Sequence, residues 1–177
     1  QENPAARVKG FLVYTGEPHF VIIADQLSWA TGAPHLPSLY IPAIPDHAFH
    51  FDLRFHASSR YIRHIGRYLN TEGSVFFPRG VNIDFVRVNG PDSIEYRCFE
   101  RGVNRETLSC GTGAVACFAA ARQLNLIQSD RISVLPHLCR LFNPSAGFIV
   151  QKTDTGCHLF GEPRIVSRGL LCHQPLD

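Results

Sequence analysis

Ser109-Cys110-Gly111-Thr112-Gly113-Ala114 opens the most helix-like stretch of the chain. A cysteine followed by Gly-Thr-Gly at a helix start sits where unpaired N–H groups and the helix dipole favour negative charge. A thiol in that place ionises more readily than a free one, so Cys110 is a candidate thiolate. The glycines let a ligand approach the backbone, and the N–H groups of Gly111, Thr112 and Gly113 are placed to cradle a carboxylate or phosphate. The competing reading is a glycine-rich turn beside a buried cysteine. Four further positions carry chemistry only in combination. Glu100-Arg101 ends a strand-like segment, though such a doublet is more often a surface ion pair. His19 follows a Thr-Gly-Glu-Pro turn, where a lone histidine usually faces solvent, and Asn82 opens a strand after Arg79-Gly80-Val81, where turn chemistry alone would explain it.

The elements that must position these residues are short. Phe11–Tyr14 and Phe20–Ala24 are β-branched or aromatic runs separated by a turn, and residues 75–77, 82–88 and 93–100 predict further strands. Asn89-Gly90 is a hairpin signal between the last two. Ile62, Ile65 and Leu69 recur at helical spacing, predicting a helix over 56–69 closed by Gly73. Residues 111–124 are apolar almost all round, the pattern of a buried helix. Strands are expected near 131–135, 147–151, 157–160 and 164–172. Residues 1–10 read as a linker or interlobe segment, 29–50 as an irregular, proline-rich connection, and 11–177 as one domain. The fold class expected is α+β, a mostly antiparallel sheet wrapped around a central buried helix.

Composition narrows the function. The 177 residues are 45% hydrophobic and 18% charged with a net charge of +2, which argues against disorder and against a basic nucleic-acid surface. No apolar run is long enough to span a bilayer. The six cysteines show no C-x-x-C pair and the nine histidines no ligand spacing, so no metal constellation is expected. Free thiols, most of them buried, and the lack of a signal-peptide pattern point to the cytoplasm. The chain begins at Gln1 and contains no Met, which reads as a processed or partial chain.

The segments Thr15–Asp25, 65–88 with its Phe77-Pro78-Arg79-Gly80-Val81-Asn82, and Tyr96–Ala116 with Glu100-Arg101-Gly102-Val103 and Ser109-Cys110-Gly111-Thr112-Gly113, taken in order, resemble the C-terminal half of diaminopimelate epimerase. The resemblance spans roughly residues 11–125. It implies a two-lobed, PLP-independent isomerase of lysine and peptidoglycan-precursor synthesis, in which one cysteine from each lobe flanks the substrate α-carbon. By that resemblance Cys110 is the catalytic cysteine of this lobe, Glu100 its carboxylate partner, and His19 the partner of the other cysteine. Gly111 and Thr112 form the carboxylate cradle, while Asn82 and Arg101 bind the far end of an amino-acid substrate. No cofactor is implied. The partners implied are the N-terminal lobe and a second copy of the chain, since members are commonly homodimers.

Three features depart from the family pattern. The N-terminal lobe and its Cys-Gly-Asn-Gly motif are absent from the chain, so this lobe alone should be inactive. Glu17 stands where members usually have Asn, and an ionised Glu only accepts hydrogen bonds. Glu100 and Cys110 are ten residues apart, one more than in many members. Glu17 keeps open a racemase or isomerase of the same superfamily acting on another amino acid, such as the proline, histidine or phenazine-type enzymes. A non-catalytic single-lobe binding module is the third reading.

Overall fold

The computed structural model of the chain describes residues 5–24, 38–42, 58–72, 75–165 and 167–169. In chain order the elements are β1 (Ala5–Lys9), β2 (Phe11–Tyr14), β3 (Pro18–Ile23), β4 (Ser38–Pro42), α1 (Ser58–Arg67, continued by a π-helical turn over Tyr68–Glu72), β5 (Asn82–Gly90), β6 (Ser93–Glu100), β7 (Arg105–Thr107), α2 (Gly111–Gln123), β8 (Arg131–Pro136), α3 (His137–Arg140), β9 (Phe148–Thr153) and β10 (Gly156–Phe160). One sheet runs β10-β9-β8-β6-β5-β3-β2, and β7 pairs with Cys98–Glu100 of β6, beyond the Ser93–Tyr96 stretch that pairs with β8. The β3–β5 and β6–β8 pairings are parallel and the others antiparallel. The expected α+β sheet around a buried helix is therefore what forms.

Burial on both faces of the central strands explains the sequence pattern. Phe20, Ile22, Ile83, Phe85 and Phe99 pack against Ile62, Ile65 and Leu69 on the α1 side. Val21, Ile23, Val86, Ile94 and Tyr96 pack against α2. The alternation in 82–88 falters at Phe85-Val86 because a doubly covered strand is apolar on both sides. Each fully buried Ile or Phe contributes roughly 1.5–3 kcal/mol, so two such layers hold the central strands rigid. The approach of α1 depends on Gly66, where a Cβ would lie 2.3 Å from the Phe99 ring. The inner face of α2 is Ala114, Ala116, Cys117, Ala120 and Ala121, small enough for the sheet to curl round it, and α2 touches every strand from β2 to β10 along the main path. Asn125, at φ 56°, ends the helix in the left-handed conformation, with Leu126 N–H reaching back to the Ala121 carbonyl.

Several expectations need correction. Residues 5–9 form a strand that the sequence does not predict: β1 pairs antiparallel with β4, which itself lies in the stretch read as irregular, and Val8 is buried on the α1 side. Main-chain pairing needs only backbone groups, so polar neighbours and prolines did not prevent it. Residues 75–77 form a turn instead of a strand, with Val75 and Phe76 exposed. Residues 164, 165 and 167–169 belong to no strand, and the rest of 164–172 lies outside the described residues, as do Gly73 and the remainder of 29–50. The β5–β6 hairpin turns at Pro91-Asp92, two residues past Asn89-Gly90, which lies in an irregularity at the end of β5. Of the described cysteines only Cys98 and Cys117 are buried; Cys157 is exposed.

Candidate active site

Cys110 is the N-cap of α2. Its backbone is extended (φ −139°, ψ 116°), and its sulfur accepts from the Gly113 N–H at 3.4 Å, an N-cap role normally filled by an oxygen. Tyr96 holds the same residue by its backbone. The phenol accepts from the Cys110 N–H at 2.9 Å and donates to the Cys110 carbonyl at 2.8 Å. Tyr96 is 1% exposed, and burial pushes its phenol well above the ordinary 10.0, so it remains a neutral donor. This clamp leaves no mark in the sequence beyond a buried-facing position on β6.

The sulfur is surrounded by donors. Cys98 lies against it and supplies the largest stabilisation of the thiolate; Thr112 Oγ1 at 3.3 Å and the Gly113 N–H add to it. Burial and the Asp84 charge oppose them, and the outcome is a thiol lowered from 9.0 to about 6. Cys98 is pushed the other way, first by its hydrogen bond to Cys110 and then by burial, so it keeps its proton. Cys117, fully buried, is pushed up by desolvation.

Thr112 links Cys110 to His19. Its hydroxyl is 3.1 Å from His19 Nε2, while His19 Nδ1 meets Asp84 Oδ2 at 2.6 Å with both side chains fully buried. Burial pulls the imidazole pKa down, but the hydrogen bond and charge of Asp84, with help from Cys110 and Glu100, raise it above 6.5. A charged imidazolium can donate to Thr112, whose own proton then points at the sulfur. His19 is thus buried and hydrogen-bonded on both ring nitrogens, not the solvent-facing histidine its turn position suggests. Asp84, unremarked in the sequence, faces α2 beside Val86. Among the described residues its Oδ1 has no hydrogen-bond partner, and it lies where a Cβ on Gly113 would be only 2.6 Å away. A side chain at 113 would push the carboxylate or the helix start aside.

Glu100, at the end of β6, accepts from the Thr107 hydroxyl, and its carboxylate, Cys98 Sγ and Cys110 Sγ all lie within 4.8 Å of one another. Asn82 Oδ1 accepts from the Arg101 N–H at 3.0 Å, and its amide nitrogen is 3.4 Å from His19 Nε2. The Arg101 guanidinium donates to the Arg79 carbonyl at 2.8 Å and to the Glu17 carboxylate. Glu17 therefore faces the cation that the resemblance assigned to a distal substrate carboxylate. Gly111 and Thr112 line an open cavity of ≈ 510 Å³ together with Val13, Tyr14 and Leu159. Gly113 N–H is taken by the Cys110 sulfur and Ala114 N–H by the Cys110 carbonyl. The N–H groups of Gly111 and Thr112 precede the first intrahelical acceptor, as at any helix start. The candidate residues Cys110, Glu100, His19, Asn82, Arg101, Glu17, Gly111 and Thr112 are joined by these contacts or share the α2 start.

Fold and site together define a sheet-wrapped helix that begins at a thiol of lowered pKa, with the His19–Asp84 pair behind it. Residues 64–136 match the family model of diaminopimelate epimerase, a family of isomerases. It is 57% identical over 51 residues to the diaminopimelate epimerase of Methanothrix thermoacetophila, covering 29% of this chain and 18% of the relative. It is 32% identical over 127 residues to that of Hydrogenobaculum sp., covering 72% of this chain and 35% of the relative. The chain thus spans about a third of the relative's length at this longer match. A solved phenazine biosynthesis protein of the PhzF family from Bacillus anthracis superposes with a TM-score of 0.45 at 14% identity, covering 88% of this chain and 40% of its own. No helix among the described residues is long and apolar enough to cross a membrane.

Proposed function

We propose that this chain supplies one half of a PLP-independent diaminopimelate epimerase site, with Cys110 exchanging the proton on one face of the substrate α-carbon. The observation that carries this reading is the sulfur at the α2 start, held by the Gly113 N–H and the Thr112 hydroxyl and backed by His19 and Asp84. As a thiolate, Cys110 removes the α-proton, and as a thiol it returns one. The Gly111 and Thr112 N–H groups hold the α-carboxylate and stabilise charge as the carbanion forms. Glu100 takes up or delivers the proton beside the sulfur, and Asn82 and Arg101 bind the distal end. Inversion needs a second acid–base group on the opposite face, which in this reading comes from an N-terminal lobe of the native protein outside these residues. The apolar rim of Leu12, Tyr14, Leu159 and Phe160, 41–76% exposed, would meet that lobe. A homodimer of the complete protein in the cytoplasm accompanies the reading.

The test is α-proton exchange of diaminopimelate in deuterated water by the native protein, by its Cys110→Ala variant and by this chain alone. Exchange by the native protein only supports the reading. Exchange by the Cys110→Ala variant at the native rate overturns it. The Glu17–Arg101 ion pair favours a second reading, an epimerase or racemase of the same chemistry acting on a substrate without a distal carboxylate. A panel of amino acids in the same exchange assay separates the two.

A further inference from the structure

Cys98, Glu100 and Cys110 offer two sulfurs and a carboxylate whose ligand atoms all lie within 4.8 Å of one another. A tetrahedral zinc ion, with bonds of about 2.3 Å to sulfur and about 2.0–2.2 Å to carboxylate oxygen, separates its ligand atoms by roughly 3.5–3.8 Å. The set therefore closes on an ion with shifts of about an ångström. We propose that these three residues form a binding site for a thiophilic divalent cation of the zinc class, with water completing the tetrahedron.

Rigid elements place each ligand. Cys98 and Glu100 are two residues apart on β6 and point to the same face. Cys110 is fixed at the α2 start by both hydrogen bonds of Tyr96. Thr107 donates to Glu100 Oε1, the outer-shell contact that orients a ligating carboxylate, and leaves Oε2 for the ion. Cys98 is buried behind the site while Cys110 is partly exposed, so the fourth position opens where an ion and its water can enter. Two sulfurs select a soft or borderline cation over magnesium or calcium. The spacing of 98, 100 and 110 matches no sequential zinc motif, because a strand and a helix start bring the ligands together. Bound there, the ion occupies the sulfur lone pair that proton abstraction requires, so it acts as a reversible block on Cys110. That consequence rests on the proposed function; the binding does not.

Cobalt(II) is the probe, titrated into the chelator-treated native protein containing this chain and followed by absorption. The expected result is one ion per chain, a thiolate-to-cobalt charge-transfer band, tetrahedral d–d bands, and displacement of both by zinc. Cys110→Ser and Cys98→Ser should each lower the charge-transfer band by about half. Thr107→Val, which touches neither sulfur, should weaken binding by about tenfold or more. Absence of the band in the native protein overturns the site, as does a band unchanged in Cys110→Ser, which would place cobalt on other cysteines. If buried Cys98→Ser does not fold, the native titration and Cys110→Ser still decide. Cobalt binding without α-proton exchange by the metal-free protein would keep the site and refute the epimerase reading; exchange without binding would do the reverse.

Discussion

Replacing Thr112 by Val keeps the shape of the first turn of α2 and removes the one hydroxyl between the Cys110 sulfur (3.3 Å) and His19 Nε2 (3.1 Å). A hydrogen bond to a charged acceptor contributes about 1.5–3 kcal/mol, more than the 0.3–1 kcal/mol typical of the helix dipole. At about 1.4 kcal/mol per pH unit this is one to two units, which moves Cys110 from about 6 to roughly 7–8. At pH 7 the thiolate fraction then falls from roughly 90% to between about 50% and 10%. The assay is the rate of Cys110 alkylation by iodoacetamide against pH, with chelator present and the modified peptide read by mass spectrometry so that exposed Cys157 does not interfere. The native midpoint should lie near pH 6, with reactivity rising above it because the thiolate is the nucleophile. The variant midpoint should move up, and its rate at pH 7 should fall about two- to tenfold. An unmoved midpoint would refute the argument and leave the stabilisation to Cys98 and Gly113.

Other substitutions test the surrounding framework. Gly113→Ala puts a Cβ 2.6 Å from Asp84 Oδ1 and should cost about 1–3 kcal/mol in thermal denaturation; an unchanged melting temperature would show that the helix start shifts freely. Tyr96→Phe strips the Cys110 N–H and carbonyl of their shared partner and should cost about 2 kcal/mol in urea unfolding, with no loss expected only if water replaces the phenol. The His19 pKa is raised above its unfolded 6.5, so the pair with Asp84 contributes its full stability below pH 6.5 and loses it as pH rises through the raised value. His19→Asn should therefore cost more at pH 6 than at pH 9, and equal losses would rule out a charged pair. Glu17→Gln frees the Arg101 guanidinium and should improve kcat/KM for substrates with a distal carboxylate relative to those without; no change in that ratio would separate Glu17 from specificity.

Cys110 and its glycines were legible because a helix N-terminus is a local feature, written in consecutive residues. The buried helix showed itself in an all-apolar stretch, and the central strands in β-branched runs. What the sequence did not reveal depends on pairing across the fold. Asp84 looks like the polar member of an alternating strand until β3 brings His19 alongside in parallel register, where its two neighbours Asn82 and Asp84 face the imidazole. Tyr96 and Cys98 read as ordinary core residues, and only the curl of the sheet onto α2 turns them toward Cys110. The strand β1 carries no sequence signal because its partner β4 lies in a proline-rich stretch without alternation. The Asn89-Gly90 signal found the right hairpin but not its turn, since the irregularity near Gly90 moves the reversal to Pro91-Asp92.

Tyr96, Cys98 and Glu100 occupy alternate positions on one face of β6, roughly 6.8 Å apart, and all three address Cys110. Inserting or deleting a single residue between them would rotate the later ones toward α1 together, so the strand tolerates no change of length there. Four residues upstream of Tyr96, the turn at Pro91-Asp92 is exposed and already follows an irregular pairing. The two ends of one strand therefore have opposite tolerance to added chain. A reporter peptide or a new terminus can be introduced at the hairpin tip while the alignment of all three groups on the thiol is kept.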